Sequence, residues 1–333
     1  MKTLTFGALL IGMAAAAPAQ LLINGAGATF PYPIYAKWFD EFHKIIPKAQ
    51  INYQTQGSGA GIRQLQAGTV DFGASDSPMT DEQISQAGTK VIHFPTVLGA
   101  VVPAYNVAGV KQDLNFTAEA LAGIFVGKIS RWNDPELARA NPGVALPANG
   151  IVVVHRSDGS GTTFVWTDYL SKASAVWKSQ VGAGTAVKWP VGLGSKGNEG
   201  VAGIVKQTPN SIGYVELVYA IQNKMPYGTV RNAAGGFVKA GLKSVTAAAA
   251  SATMPDDFRV SITNPPGKDA YPISSFTWLL VPARVQDAQK RKIITDFLRW
   301  MLADGQKMAE PLGYAPLPNA VIVRELKAVS QVQ

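Results

Sequence analysis

Four short apolar runs in this chain each end in a turn of glycines and hydroxyl residues. LLINGAGAT opens onto TFP, QINYQTQ onto GSGAG, VDFGAS onto DSP, and IVVVH onto RSDGSGTT. Helical spacing follows several of these turns. PYPIYAKWFDEFHKI carries Ile34, Trp38, Phe42 and Ile45, and residues 160–178 carry Phe164, Trp166, Tyr169 and Leu170 on one side. Strand, polar turn and helix, repeated, describe an open sheet that delivers loop residues to the carboxyl ends of its strands. The expected fold class is therefore α/β.

The rest of the chain continues the alternation. VIHFPTVLGAVVPAYNV (91–107) is a long apolar stretch broken by Pro95 and Pro103, which reads as a strand pair or as a crossing between two lobes. TAEALAGIFVG and WNDPELARANPG follow as a further αβ region before IVVVH. SIGYVELVYAIQN reads as a strand turning into a helix, TAAAASATMPDDF as a surface helix, and YPISSFTWLLVPA (271–283) as a strand. Near the C-terminus, VQDAQKRKIITDFLRWMLADGQKMA is the clearest amphipathic helix, with Ile293, Phe297, Trp300 and Met301 on one side.

At 333 residues and 47% hydrophobic, the chain is long enough for two domains with real cores. Residues 1–19 stand apart: Lys2, an apolar run, then small residues at Ala17 and Ala19 fit a secretory signal peptide. The absence of cysteine excludes disulfides, thiolate chemistry and a lipid anchor on an N-terminal cysteine. An exported chain without such an anchor is best retained by an outer membrane, so a periplasmic location is expected. His43, His93 and His155 lie far apart without metal-ligand spacing, and no metal or cofactor is expected. The formal net charge of +8 suits a small anion as well as nucleic acid, but the charges are scattered rather than striped along one element, and no nucleic-acid partner is expected.

RSDGSGTT admits three readings. It could cradle a phosphate group at a helix start, where unpartnered N–H groups and the helix dipole favour negative charge. Ser160 and Thr162 would donate hydroxyl hydrogens, and Arg156 would offer a planar fork, oriented by Asp158. Alternatively the segment could be a hydrolase nucleophile, or a turn in which Asp158 or Ser160 merely caps a helix. The hydrolase reading fails on the residue two before Ser160, which is aspartate where G-x-S-x-G needs glycine. His155 is next to Arg156 in a strand, so the two point to opposite faces, and a structural histidine is the reading. GLGSKG (192–197) matches G-x-G-x-x-G, but Pro190 interrupts the approach and no clean strand leads in. A glycine-rich loop at a helix start is expected there rather than a dinucleotide site.

GAGATFPYPIYAKW, YQTQGSGAG, VDFGASDSPMT, FPTVLG, HRSDGSGTTFVWTDYL, GSKGNEGV and SIGYVE occur in this order. Together they closely resemble the periplasmic phosphate-binding proteins of ABC phosphate transporters, over roughly residues 24–320. The resemblance implies a two-lobed periplasmic-binding-protein fold (type II) with the ligand in the cleft between the lobes. One lobe would comprise residues 20–104 plus 270–333, the other residues 105–269. By motif it implies that phosphate is held by Thr29, the N–H of Phe30, Ser58, Asp76, Arg156 with Asp158, Ser160, the N–H of Gly161, and Thr162. It also implies a monomer that delivers its anion to a membrane permease and transforms nothing.

The chemistry of those residues agrees with that role. Near neutral pH phosphate keeps at least one proton, which a carboxylate at Asp76 can accept; sulfate offers none and meets only like charge. A phosphatase, a sulfate or molybdate receptor, and an adhesive use of the same fold are the alternatives. The first lacks a nucleophile elbow and a histidine cluster, and Asp76 speaks against the second.

Overall fold

The computed structural model describes residues 20–333; the expected signal peptide at 1–19 lies outside the described residues. The first part of the chain forms β1 (Leu21–Gly27), α1 (Tyr32–Ile45), β2 (Ala49–Thr55), α2 (Ser58–Gln66), β3 (Phe72–Ser75), α3 (Asp81–Ser85) and β4 (Val91–Asn106). Next come β5 (Asn115–Phe116), α4 (Ala118–Phe125), α5 (Pro135–Ala140), β6 (Val152–Arg156), α6 (Gly161–Ala173), α7 (Ala175–Gln180), β7 (Leu193–Ser195), α8 (Gly197–Gln207) and β8 (Ser211–Glu216). The remainder holds α9 (Leu217–Gln222), β9 (Thr229–Arg231), β10 (Phe237–Val238), α10 (Leu242–Ala250), β11 (Ser274–Pro282), α11 (Ala288–Met301) and α12 (Asn319–Ala328).

Eight strands make one sheet in the order β2-β1-β3-β11-β4-β8-β6-β7, and β10, β9 and β5 make a small second one. The stretch at 91–107 proves to be a single strand rather than a pair, and it organises the sheet. Its first part, Val91–Ala100, pairs antiparallel with β11, while Val101–Asn106 pairs antiparallel with β8. On one flank β2, β1 and β3 run parallel to each other and antiparallel to β11; on the other, β8, β6 and β7 run parallel to each other. The two flanks therefore run in opposite directions along β4, and their strand carboxyl ends meet near its middle. That convergence brings together turns far apart in sequence.

β4 is buried except at its last residue, which its near-continuous apolar sequence requires. Pro95 and Pro103 sit within it, and the register with β11 passes from Val97 opposite Thr277 to Pro95 opposite Trp278. Thr96 is thus the extra residue of a bulge, a device that re-aims neighbouring side chains. Here the neighbour is Thr277, whose role emerges below.

The helices bury the faces their spacing predicts, with some differences. Ile34, Trp38 and Phe42 of α1 are buried, whereas Ile45 in its last turn is 59% exposed. Residues 160–178 are two helices, not one, because Ser174 is extended and its hydroxyl accepts from Trp177 N–H to start α7 afresh. The alanine-rich helix α10 is half-buried through Val245, Ala248 and Ala249 rather than lying on the surface. A short strand, β7, does lead into the GLGSKG helix start, its backbone pairing with His155 and Arg156 despite Pro190. In α11, Ile293, Phe297 and Met301 are buried as expected, with Ile294 and Leu298 beside them. Among the described residues no helix is long and apolar enough to cross a membrane.

Candidate functional site

Every expected site residue lies where the two flanks meet. Thr29 and Phe30 follow β1 and precede α1; Pro31 stands just before its first residue, with Pro33 inside the first turn. Ser58 is the first residue of α2, behind Gly57, whose φ of +90° is a left-handed value that glycine adopts without strain. Asp76 follows β3 directly. Arg156 ends β6, and Ser160 precedes Gly161 and Thr162 at the start of α6. Thr29, Phe30, Ser58, Asp76, Arg156, Ser160 and Thr162 are all buried, at 3% exposure or less.

Arg156 and Asp158 form a bidentate pair: Nε donates to Oδ1 at 2.7 Å and Nη2 to Oδ2 at 2.6 Å. Gly197 N–H also donates to Asp158 Oδ1 at 3.2 Å. Burial opposes both charges, yet the pairing keeps the Arg156 guanidinium above its usual range and the Asp158 carboxyl below its own. The third nitrogen, Nη1, is buried with no hydrogen-bond partner. A cation that exposes one unspent donor inside a protein suits an anionic ligand, since an unmet charged donor is costly to bury.

Asp76 is the acceptor in this setting. Its Oδ1 accepts from Thr277 Oγ1 at 2.8 Å, and its Oδ2 lies 3.4 Å from Thr162 Oγ1. Burial pushes its carboxyl up to about 7, against the downward pull of the Thr277 hydroxyl, the Arg156 charge and Thr162. Glu216, nearby at the start of α9, has its carboxyl raised well above the ordinary carboxylate value by burial. Its Oε2 accepts from Val218 N–H at 2.8 Å, capping the helix.

Contacts across the flanks are direct. Ser58 Oγ accepts from Asp76 N–H at 3.2 Å and from Gly161 N–H at 3.0 Å, and Gly59 N–H donates to Gly159 O at 2.8 Å. Tyr219 hydroxyl donates to Thr29 O at 2.5 Å. The approach is close enough that a Cβ on Gly161 would come within 2.4 Å of Ser58 Oγ and 2.7 Å of Asp76 N. The Ser160 hydroxyl accepts from Thr163 N–H at 3.0 Å, so the capping reading and the cradle reading coexist: its oxygen caps α6 while its hydrogen remains to donate.

His155 faces away from this cluster, stacked on Trp189 at 4.7 Å, with Nδ1 3.0 Å from Arg156 O. It is structural. A surface cleft of about 1150 Å³ lies elsewhere, near Asp71, Lys90, Arg284 and Lys290. Lys290 there is half-buried and already paired with Asp71 at 2.9 Å. Among the described residues no three His, Asp or Glu side chains are grouped to hold a metal.

Residues 13–305 match a family model described as a PBP superfamily domain. Over 309 residues the chain is 47% identical to the phosphate-binding protein PstS of Xylella fastidiosa, covering 92% of this chain and 84% of that one. To PstS of Haemophilus influenzae it is 44% identical over 325 residues, covering 97% and 96%. The chain belongs to the PstS family of phosphate-binding proteins. Among solved structures it superposes on a high-affinity periplasmic phosphate-binding protein with phosphate bound, at a TM-score of 0.76 and 22% identity over 92% of this chain and 93% of that one. A phosphate-binding protein from Stenotrophomonas maltophilia gives 0.73 at 17% identity over the same shares. These neighbours establish the two-lobed fold for this PstS chain.

Two residues at the junction escaped sequence reasoning. Asn198, the second residue of α8, reaches both Thr29 and Thr162. It lies inside GSKGNEGV, where a polar residue at a helix start beside a glycine loop was the available signal. Thr277 gave none: it sits mid-strand in a buried run, and only the bulge at Thr96 turns it onto Asp76.

Proposed function

We propose that the chain is the periplasmic receptor of an ABC importer, binding inorganic phosphate at the flank junction and delivering it to an inner-membrane permease. It binds its anion without transforming it. The observation that carries the reading is the buried, unspent Nη1 of Arg156 in one cluster with the Asp76 carboxyl and the N-termini of α2 and α6. Donors there outnumber acceptors, as an oxyanion needs, and the lone charged acceptor suits an anion that still carries a proton. Thr29, Phe30 N–H, Ser58, Arg156, Ser160 and Thr162 would donate, with Gly161 N–H shared between Ser58 Oγ and the anion; Asp76 would accept; Asp158 would orient Arg156.

The lobes we propose are residues 20–104 with 270–333, and 105–269. In support, β4 changes partner from β11 to β8 between Ala100 and Val101, close to that boundary. Thr29, Ser58 and Asp76 then lie on one lobe and Arg156 to Thr162 on the other, so that phosphate touching both stabilises the closed arrangement by its differential affinity. The receptor works as a monomer in the periplasm after loss of residues 1–19, and nucleic acid is not a partner.

Titration calorimetry of the chain from residue 20 onward, in phosphate-free buffer at pH 8, tests the reading. One-to-one binding of phosphate with no heat from sulfate is expected. Equal binding of both anions, or of neither, overturns it. A second outcome follows from the Gly161 contacts. Gly161→Ala places a methyl 2.4 Å from Ser58 Oγ and 2.7 Å from the Asp76 backbone, a fit the two flanks can meet only by moving apart. It is expected to weaken phosphate binding at least about tenfold, with a smaller loss in the melting temperature of the free protein, measured by calorimetry and thermal unfolding.

A further inference from the structure

The hydroxyls at the junction are not free to choose between donating and accepting. Ser58 Oγ accepts two backbone N–H bonds, from Asp76 and Gly161, which occupy both its lone pairs. Thr29 Oγ1 likewise accepts twice, from Asn198 N–H at 3.1 Å and from its side-chain Nδ2 at 2.8 Å. Each hydroxyl keeps one function, to give its hydrogen away. Thr162 Oγ1 accepts once, from the same Nδ2 at 3.1 Å, and its own hydrogen is directed at Asp76 Oδ2, 3.4 Å away.

The orientation of the Asn198 carboxamide is fixed by chemistry. Its Oδ1 lies 2.8 Å from Glu216 N, which can only donate, so the atom facing Glu216 is oxygen and the atom facing the threonines is nitrogen. Both Nδ2 hydrogens are then spent, one on Thr29 and one on Thr162, and the residue is fully buried. Asn198 has nothing left for a ligand. It also sits on α8 of the second flank, whereas Thr29 belongs to the first.

We propose that Asn198 is a positioning residue that commits the Thr29 hydroxyl to donate toward the bound anion, biases the Thr162 hydroxyl to donate into the corner between the anion and Asp76, and commits Thr29 only when the two lobes are together. With the lobes apart Thr29 loses both Asn198 donors and its hydroxyl can accept as readily as donate. Closure thus assembles the donor polarity of the site as well as its shape. This rests on the phosphate reading given above.

Two variants separate polarity from simple packing. Asn198→Ala removes both Nδ2 bonds without adding charge, and an expected loss of about tenfold or more in phosphate affinity follows from releasing two polarised donors. Asn198→Asp is an acceptor when ionised, so both threonine hydroxyls turn toward it and away from the ligand. Protonated, it donates again. The loss in Asn198→Asp is therefore expected to exceed that of Asn198→Ala at pH 8.5 and to shrink toward or below it at pH 5.5, each compared with the unsubstituted chain at the same pH. Calorimetric titration with inorganic phosphate, alongside melting of each free variant, reads both effects. If the unsubstituted chain binds phosphate and Asn198→Ala matches it, the positioning role is overturned on its own. A loss with the same pH profile in both variants makes Asn198 structural and overturns it too. If the unsubstituted chain takes up no phosphate, the functional reading falls first and this proposal with it.

Discussion

Arg156→Met is expected to weaken phosphate binding by two to three and a half orders of magnitude, about 3–5 kcal/mol for removing one partner of a buried charge pair. Two losses combine. The anion loses a buried guanidinium at the junction whose Nη1 is unspent. Asp158, held below the carboxylate range by its pairing with Arg156, is left charged and facing the same region. Arg156→Lys is expected to recover little of the loss, because an ammonium cannot fork onto Asp158 through two nitrogens and still present a third. Arg156→Met combined with Asp158→Asn is expected to bind better than Arg156→Met alone, since the stranded charge is gone. Titration calorimetry on the three variants measures this. A single variant that binds within tenfold of the unsubstituted chain removes Arg156 from the site.

The parts of this molecule that the sequence announces are those governed by local chemistry. Strand-exit turns, helix starts and the Arg156–Asp158 neighbours are all encoded within a few residues, and each stands where its segment suggested. The long run at 91–107 was ambiguous because burial on both faces erases the alternation that marks a strand, and two prolines mimic a break. What decides its role is pairing with β11, well over a hundred residues away. The same holds at the site. Ser58, Asp76 and Gly161 are each readable as turn residues, but the shared hydrogen bonds on Ser58 Oγ exist only because opposite strand directions along β4 bring the turns together. Thr277 was beyond reach for that reason, and Asn198 carried only the weak signal of a polar residue at a glycine-flanked helix start, which does not separate it from an ordinary cap-region asparagine. Ser174 shows the converse, a local cap that a broad apolar pattern concealed.

Asp76→Asn is expected to change what the site refuses more than what it accepts. At pH 8 the charged Asp76 gives sulfate no hydrogen-bond partner and adds like charge, a kind of mismatch that can be worth about 10⁴–10⁵ in discrimination. Asparagine can donate to either anion, so the phosphate-to-sulfate ratio is expected to fall by at least about a hundredfold, while phosphate affinity falls less. Acid should imitate the substitution. Burial holds Asp76 up at about 7, so near pH 6 the free protein carries it mostly protonated, able to donate to sulfate. Selectivity of the unsubstituted chain is expected to drop from pH 8 to pH 6, and that of Asp76→Asn to stay flat. Stability of the free protein moves the opposite way, rising as pH falls. Because the folded value lies above the ordinary 3.9, Asp76 contributes fully to stability below about pH 4 and loses that contribution as pH rises through about 7. Asp76→Asn is therefore expected to melt several degrees higher than the unsubstituted chain at pH 8, with the difference narrowing at pH 5 and closing below about pH 4. Competition titrations with phosphate and sulfate at the two pH values, with melting curves beside them, check both halves. Selectivity in Asp76→Asn that equals the unsubstituted chain at pH 8 would take the carboxylate filter away and leave the anion clamp to Arg156 and the helix starts alone.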